Sequence, residues 1–260
     1  MPIQTIDNVL KLVLTAGQIA VEEQQHFLFT DRDYKSDGSV LTSVDKKIEQ
    51  FLCENILRLY PDVNIISEES SRPFDAEKSC TFVIDPIDGT DIFSQGLPGW
   101  CIAAGLLDHD FIPAAGIVYA PRWGSLYFAD VGRPPVHNGR PLSRTMTLEP
   151  DSPNANLMVT SRIFRFMDLR SFKGKIRNIG AGALQMCFPL TSPAVIGAIL
   201  GKTHIWDIAA AAAILNAAGL KVEYMSGDEL LYEEILDGRP AMDLILCGSQ
   251  RTIDYLRRIF

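Results

Sequence analysis

The sequence predicts a mixed α/β (α+β) protein in which sheets are layered against helices. Three observations carry that expectation. Near the N-terminus, apolar residues recur at helical spacing: Ile6, Val9, Leu10, Val13, Ala16, Ile19 and Ala20. A series of short apolar runs then follows, from "VNIISEES" to "SLYFADV", each of a length that suits a strand. The second half alternates such runs with helical segments, among them "WDIAAAAAILNAAG", an Ala-rich helix closed by Gly219.

In chain order, the first helix is expected from Thr5 to about Phe27. A second runs from Thr42 to Tyr60, with Thr42 as N-cap and Asp45 in the first turn. "VNIISEES" and "CTFVIDPI" read as strands, each ending in acid. "WCIAAGLLDHD" and "FIPAAGIVYAP" flank a His109-Asp110 turn as in a hairpin, and "SLYFADV" adds a further strand. The linker "GRPPVHNGRPLS" holds three prolines and two glycines, so two lobes are expected. Residues 1–146 form an α+β lobe with most of the candidate ligands, and residues 147–260 an α/β lobe. In the second lobe "NLMVTS", "KVEYMS" and "DLILCGS" read as strands, and "AVIGAIL" as a strand or a buried helix. "GAGALQMCFPL" starts a helix and "SQRTIDYLRRIF" ends the chain as one. No internal repeat or low-complexity tract interrupts this pattern.

The 260 residues are 47% hydrophobic and 22% charged, as in a soluble globular protein with a sizeable core. A formal charge of −8 argues against a nucleic-acid surface, which needs clustered Lys and Arg. It suits a protein that gathers carboxylates around cations. The five cysteines are scattered, with no C-x-x-C pair, which predicts buried, reduced thiols and a cytoplasmic protein. "MPIQTIDNVLKLVL" lacks a basic region followed by an apolar block, so no signal peptide is expected. No apolar run approaches the ~18–20 residues of a membrane span, so no membrane partner is expected either.

The stretch "FVIDPIDGTDIF" puts Asp85, Asp88 and Asp91 directly behind an apolar run. Pro, Asp and Gly are turn residues, yet two other segments also bring acid to the tip of a buried element. "IISEES" ends in Glu68 and Glu69, and "IWDIAA" opens a helix with Asp207. Carboxylates with no nearby His or Cys favour hard cations, Mg²⁺ above all. Pro86 stiffens the bend, which can aim Asp85, Asp88 and the Ile87 carbonyl into one cavity. Two Mg²⁺ about 3.5–4 Å apart can activate a water and stabilise a leaving oxygen in phosphoester hydrolysis. Competing motifs fail on spacing. The acids read D-x-x-D-G-T, not the D-x-D-G-T of an aspartyl-phosphate enzyme or the D-T-G of an aspartic protease. "GAILGKT" has Ile196 where a nucleotide-binding loop needs its first Gly. There is no G-x-S-x-G, and the four histidines show no ligand spacing.

"SEES", "DPIDGT" and "WDIAAAAAILNAAG", in this order and at these separations, resemble the inositol monophosphatase family of Mg²⁺-dependent, lithium-sensitive phosphatases over nearly the whole chain. The resemblance implies a layered α-β-α-β-α sandwich of the sugar-phosphatase type, usually found as a dimer, hence a homodimer here. It implies two or three Mg²⁺ held by Glu68, Asp85, the Ile87 carbonyl, Asp88 and Asp207, with Li⁺ inhibitory. Asp45 and Thr90 match the pair that orients the attacking water, so they and Glu68 form the expected catalytic set. Gly89 and Thr90 match the loop whose N–H groups hold the phosphate. Asp88, Gly182, Ala183 and Asp207 match substrate contacts, and Lys35 matches a basic residue on a mobile N-terminal loop near a metal.

The implied activity is Mg²⁺-dependent hydrolysis of a small phosphate monoester, an inositol monophosphate or a related polyol or sugar phosphate. "GIVYAP", "VTSR" and "GKTHIWD" are similar to the branch that removes the 3′-phosphate from adenosine bisphosphates. A 3′(2′),5′-bisphosphate nucleotidase is therefore one alternative, and a fructose-1,6-bisphosphatase another. Three positions depart from the family pattern. Asp91-Ile92 follows "DGT", where Asp91 either touches the metals or faces solvent. "GAGAL" (180–184) lacks a hydroxyl. Leu200 stands where inositol-specific members have a glutamate, and it cannot accept hydrogen bonds from inositol hydroxyls.

Overall fold

The structure is a computed structural model. It describes the chain apart from residues 1, 2, 4, 37, 71, 143–147 and 202 and the side chain of Thr30. Helix α1 (Asp7–His26) buries Val9, Val13, Ala16 and Ala20 along one stripe. A two-stranded hairpin, β1 (Asp33–Tyr34) and β2 (Val40–Leu41), then leads into helix α2 (Ser43–Leu59). That hairpin has no hydrophobic alternation to announce it. Thr42 caps α2: its hydroxyl accepts from Val44 N (3.2 Å) and Asp45 N (3.3 Å), while Asp45 Oδ2 accepts from Thr42 N (2.9 Å).

The first sheet has seven strands in sequence order: β3 (Asn64–Ser67), β4 (Thr81–Asp88), β5 (Cys101–Leu107), β6 (Pro113–Ala120), β7 (Ser125–Ala129), β8 (Val136–His137) and β9 (Arg140–Pro141). Only the β3–β4 pair is parallel. Short helix α3 (Thr90–Ser94) follows β4. The second sheet is built from β10 (Asn156–Val159), β11 (Lys175–Arg177), β12 (Val195–Leu200), β13 (Lys221–Tyr224) and β14 (Ile245–Gly248), in the order β11-β10-β12-β14-β13. β10 runs parallel to β11 and β12. Helices α4 (Gly182–Cys187), α5 (Ile205–Ala217) and α6 (Gln250–Ile259) complete the chain. "AVIGAIL" is thus a strand. All six residues of β12 are buried, because both faces of its sheet are covered, and periodicity alone cannot separate such a run from a buried helix.

The layers follow the alternation of side chains along β4 and β5. Phe82, Ile84, Ile102 and Ala104 face α1 and α2. Val83, Cys101 and Ala103 face the opposite way, onto α4, α5 and one side of the second sheet. The far side of that sheet packs Leu157, Val159, Ile196 and Leu246 against Ile253 and Leu256 of α6. The result is the layered α-β-α-β-α sandwich. Strands β1–β9 precede residue 146 and β10–β14 follow it, while the middle helical layer, drawn from the second half, packs on both sheets. The boundary itself, at residues 146 and 147, falls outside the described residues.

The alanine run of α5 has a steric cause. A Cβ at Gly116 of β6 would lie 2.1 Å from Ala210 O, and one at Gly105 of β5 would lie 2.8 Å from Ala210 N. Helix and sheet therefore touch backbone to backbone, which only small residues on both sides allow. Gly116→Ala is expected to destabilise the protein by about 1–3 kcal/mol, since the clash is with backbone that cannot rotate away. A urea midpoint that does not move would contradict this packing.

Candidate metal centre

The pairing of β4 with β5 skips a residue: Asp85 faces Ala103 and Asp88 faces Cys101. The extra residue is a β-bulge, and Pro86, which has no N–H to donate, sits inside it. Three residues apart on a regular strand, Asp85 and Asp88 would point to opposite faces. With the bulge they share one. Gly89 then turns the chain into α3 with φ +92°, a left-handed conformation that favours glycine.

Asp207 arrives from the N-terminus of α5, where its Oδ2 accepts from His204 N at 2.6 Å. One carboxylate oxygen each from Asp85, Asp88 and Asp207 lies within 4.8 Å of the others. Asp85 and Asp88 are buried and Asp207 is half-buried. Asp85 Oδ1 accepts from Ile87 N at 3.0 Å. Both oxygens of Asp88 are held by the second half of the chain: Gly182 N donates to Oδ1 (2.9 Å), and Ala183 N to Oδ2 (2.7 Å). The Cys101 thiol also donates to Oδ2 at 3.4 Å. Gly182 and Ala183 thus direct their N–H groups at Asp88.

Beside this trio, the Thr90 hydroxyl lies 2.9 Å from both Asp45 Oδ1 and the Ile87 carbonyl oxygen. It has one proton and two acceptors. Asp45 Oδ2 is in turn bound by the Thr42 hydroxyl and N–H. Glu68 lies outside the trio, although among the neighbouring charges its carboxylate acts most strongly on Asp85. Glu68 Oε1 instead receives Lys35 Nζ at 2.6 Å, and the same ammonium donates to Glu69 Oε1 at 2.7 Å. The β1–β2 hairpin delivers Lys35 to this place. Asp91 turns away: its side chain is 62% exposed and lies 3.5 Å from Arg32.

Burial pushes these carboxyls up. Desolvation raises Asp85 well above the usual range, with Glu68 and Asp88 adding repulsion. Asp88 rises to about 7 from burial and the Asp207 charge, against the pull of the Gly182 and Ala183 N–H groups. Asp45 rises to about 6, burial outweighing its hydrogen bonds from Thr42 and Thr90. Burial and Glu68 likewise bring Glu69 to about 7. No lysine or arginine among the described residues is paired with Asp85, Asp88 or Asp207. A buried all-oxygen set with unbalanced negative charge fits a hard divalent cation.

The sign of the resulting pH effect is set by proton count. Carboxyls of the unfolded chain ionise near pH 4, whereas these keep their protons to about 6 or 7 in the fold. The metal-free native state therefore binds more protons, and it loses stability as pH climbs from about 4 to about 7. The melting temperature in EDTA should fall between pH 5 and 8, and Mg²⁺ should restore it most at the upper end. A metal-free melting temperature that rises over that interval would refute the assignment.

A model described as the inositol monophosphatase family matches residues 3–243. The chain belongs to this family of metal-dependent phosphatases. A 3′(2′),5′-bisphosphate nucleotidase CysQ from Buchnera aphidicola is 28% identical over 234 residues, covering 87% of each chain. Inositol monophosphatase 1 from Solanum lycopersicum is 27% identical over 208 residues, covering 75% of this chain and 76% of its own. Among solved structures, the extragenic suppressor protein suhB of Bartonella henselae superposes with a TM-score of 0.83 at 21% identity, covering 97% and 96%. In this family member several contacts had no local signal in the sequence. Cys101 and Glu49 (whose Oε2 accepts from Glu69 N at 2.8 Å) lie 13 and 20 residues from the groups they touch, while Thr42 is only three residues from Asp45. Only the capping pattern T-x-x-D marked Thr42, and it marked it as a cap. Leu200 is buried, with its side chain 3.2 Å from the place a Cβ on Gly182 would take.

Proposed function

We propose that the chain is a divalent-cation-dependent phosphomonoesterase acting on small phosphate esters. The supporting observation is the convergence of Asp85, Asp88 and Asp207 within 4.8 Å, next to the Thr90–Asp45 pair. Mg²⁺ bound there would supply positive charge for the phosphate and lower the pKa of a coordinated water. Glu68 and the Ile87 carbonyl complete the proposed ligand set; Lys35, which binds Glu68 Oε1, would have to release that carboxylate for it to serve as a ligand. Ionised Asp45 takes the Thr90 proton, so that the Thr90 oxygen can accept one from the attacking water. In this reading Gly89 and Thr90 bind phosphate oxygens through their N–H groups, while the Gly182–Ala183 turn, Asp88 and Asp207 border the alcohol portion. No side chain of the site is a covalent nucleophile in this scheme, so a single in-line displacement with inversion at phosphorus is expected.

The preferred substrates are polyol and sugar monophosphates, inositol 1-phosphate among them. Buried Leu200 offers the alcohol portion no hydrogen bond, which favours a broad range over strict inositol selectivity. The nucleotidase name of one relative makes adenosine 3′,5′-bisphosphate the second candidate, ahead of fructose 1,6-bisphosphate. The five cysteines are all free and buried, which supports a reducing, cytoplasmic setting. No helix among the described residues is long and apolar enough to cross a membrane.

Release of inorganic phosphate from these substrates, with and without Mg²⁺ and with added Li⁺, tests the proposal. Mg²⁺-dependent release that Li⁺ suppresses and Na⁺ does not is the expected result. No release from any of them at saturating Mg²⁺ would leave a binding protein in place of an enzyme.

A further inference from the structure

Asp91 takes no part in the metal trio, yet it is the contact of a deeply placed cation. The Arg32 side chain is only 8% exposed, with Nη2 donating to the Asp91 carbonyl oxygen at 3.4 Å and lying 3.5 Å from Asp91 Oδ1. Its guanidinium carbon sits 3.7 Å from the centre of the Phe29 ring, which is itself 62% exposed. The buried Nε has no hydrogen-bond partner among the described residues. A cation taken out of water is costly unless an opposite charge or an aromatic face offsets it. Asp91 and Phe29 supply that offset here.

Arg32 immediately precedes the β1–β2 hairpin, and Thr42 immediately follows it. Both ends are fastened to two neighbouring residues. Arg32 is held by Asp91, while Thr42 is bound to Asp45 Oδ2, and Asp45 Oδ1 lies 2.9 Å from the Thr90 hydroxyl. Within the hairpin Asp33 pairs with Leu41 and Tyr34 with Val40, and Lys35 N donates to Ser39 O at 2.9 Å. The hairpin so fixed presents the half-buried Lys35, whose Nζ lies 2.6 Å from Glu68 Oε1 and 2.7 Å from Glu69 Oε1.

We propose that Arg32 and Asp91 form a latch that keeps the Lys35 ammonium on Glu68 and Glu69 as a tethered rival of the divalent cation. An ammonium there occupies the carboxylate that the cation needs. Its strength as a rival depends on how narrowly the hairpin confines it, as for any tethered group. The apparent affinity for the cation is then scaled down to the fraction of molecules in which Glu68 is free. The latch presupposes the cation site proposed above, with Glu68 as a ligand, and adds control over how readily that site fills. It also gives Asp91 an effect opposite in sign to that of its charge. A carboxylate near a cation site attracts the cation, so its loss should weaken binding. Loss of a latch should strengthen it.

Calorimetric titration of the metal-free full chain with Mg²⁺, together with acylation of Lys35 read by mass spectrometry, tests this. Lys35→Met should bind Mg²⁺ about tenfold more tightly than the wild type, and Asp91→Asn and Arg32→Met about threefold more tightly. In the Lys35→Met background Asp91→Asn should add nothing, since the latch then has no ammonium to hold. Lys35 of the metal-free wild type should be acylated slowly. The reaction should be several-fold faster in Asp91→Asn, and faster in the wild type once Mg²⁺ is added. Circular dichroism confirms that each variant is folded, and the exposed Asp91→Asn change with the acylation rates decides the matter if Lys35→Met does not fold. Weaker or unchanged Mg²⁺ binding in Asp91→Asn, an equal gain with and without Lys35, or a Lys35 that Mg²⁺ leaves protected would each overturn the latch. Absence of Mg²⁺ binding in the wild type and in every variant would overturn the cation site as well, so the wild-type titration tells the two failures apart.

Discussion

Asp85→Asn is expected to lower Mg²⁺-dependent phosphate release by roughly 10³-fold or more while leaving the fold intact. Charge stabilisation by a bound divalent ion is worth several kcal/mol, and each 1.36 kcal/mol is about tenfold in rate. The substitution suits the local geometry. Asp85 Oδ1 can keep its hydrogen bond from Ile87 N as an amide oxygen, and the new NH₂ takes the place of an oxygen that faces other carboxylates. Removing a buried charge that Glu68, Asp88 and Asp207 repel should raise the metal-free melting temperature at pH 8. Asp88→Asn should abolish activity as well, with a smaller gain in stability. Both Asp88 oxygens accept backbone N–H groups, from Gly182 and Ala183, and an amide NH₂ would oppose one of them. Phosphate release at saturating Mg²⁺ and thermal melts in EDTA read the two effects separately. Near wild-type turnover in Asp85→Asn would sink the carboxylate-held cation as the source of catalysis.

Thr90→Ala should cost about 10²–10⁴-fold in kcat, the range for loss of a positioned proton-transfer group. Thr90→Ser should keep most of the rate, because the hydroxyl between Asp45 Oδ1 and the Ile87 carbonyl is what the site uses. Asp45→Asn should fall with Thr90→Ala, and the double variant should be little worse than either single one, as for residues acting as a unit. Asp45 is raised to about 6 by burial, so the wild-type rate should climb with pH through that region as the carboxylate ionises. Full additivity of the two losses, or an equally slow Thr90→Ser, would show that the pair does not work as a proton relay.

Much of the framework was readable from local pattern. Helices α1, α2, α5 and α6 appear where 3.6-residue spacing and caps placed them, since those signals need no distant partner. The β5–β6 hairpin appears around His109-Asp110 for the same reason. The hairpin carrying Lys35 was not marked as strand, because two residues per strand give alternation no room to show. The strand-or-helix ambiguity of "AVIGAIL" was real, since burial on both faces erases periodicity.

By itself the sequence determined which acids and which hydroxyl this protein has to offer, their order, and the family to which they belong. These are properties of the chain's chemistry and spacing. Only the tertiary structure decided that a bulge turns Asp85 and Asp88 to one side, that Asp88 is held by Gly182 and Ala183 from 94 and 95 residues away, and that Asp91 leaves the cluster for Arg32. It also decided that Lys35 rests on Glu68 and Glu69. Each of these depends on which segments the layers bring together, and contacts between distant segments leave no mark in the spacing of either one.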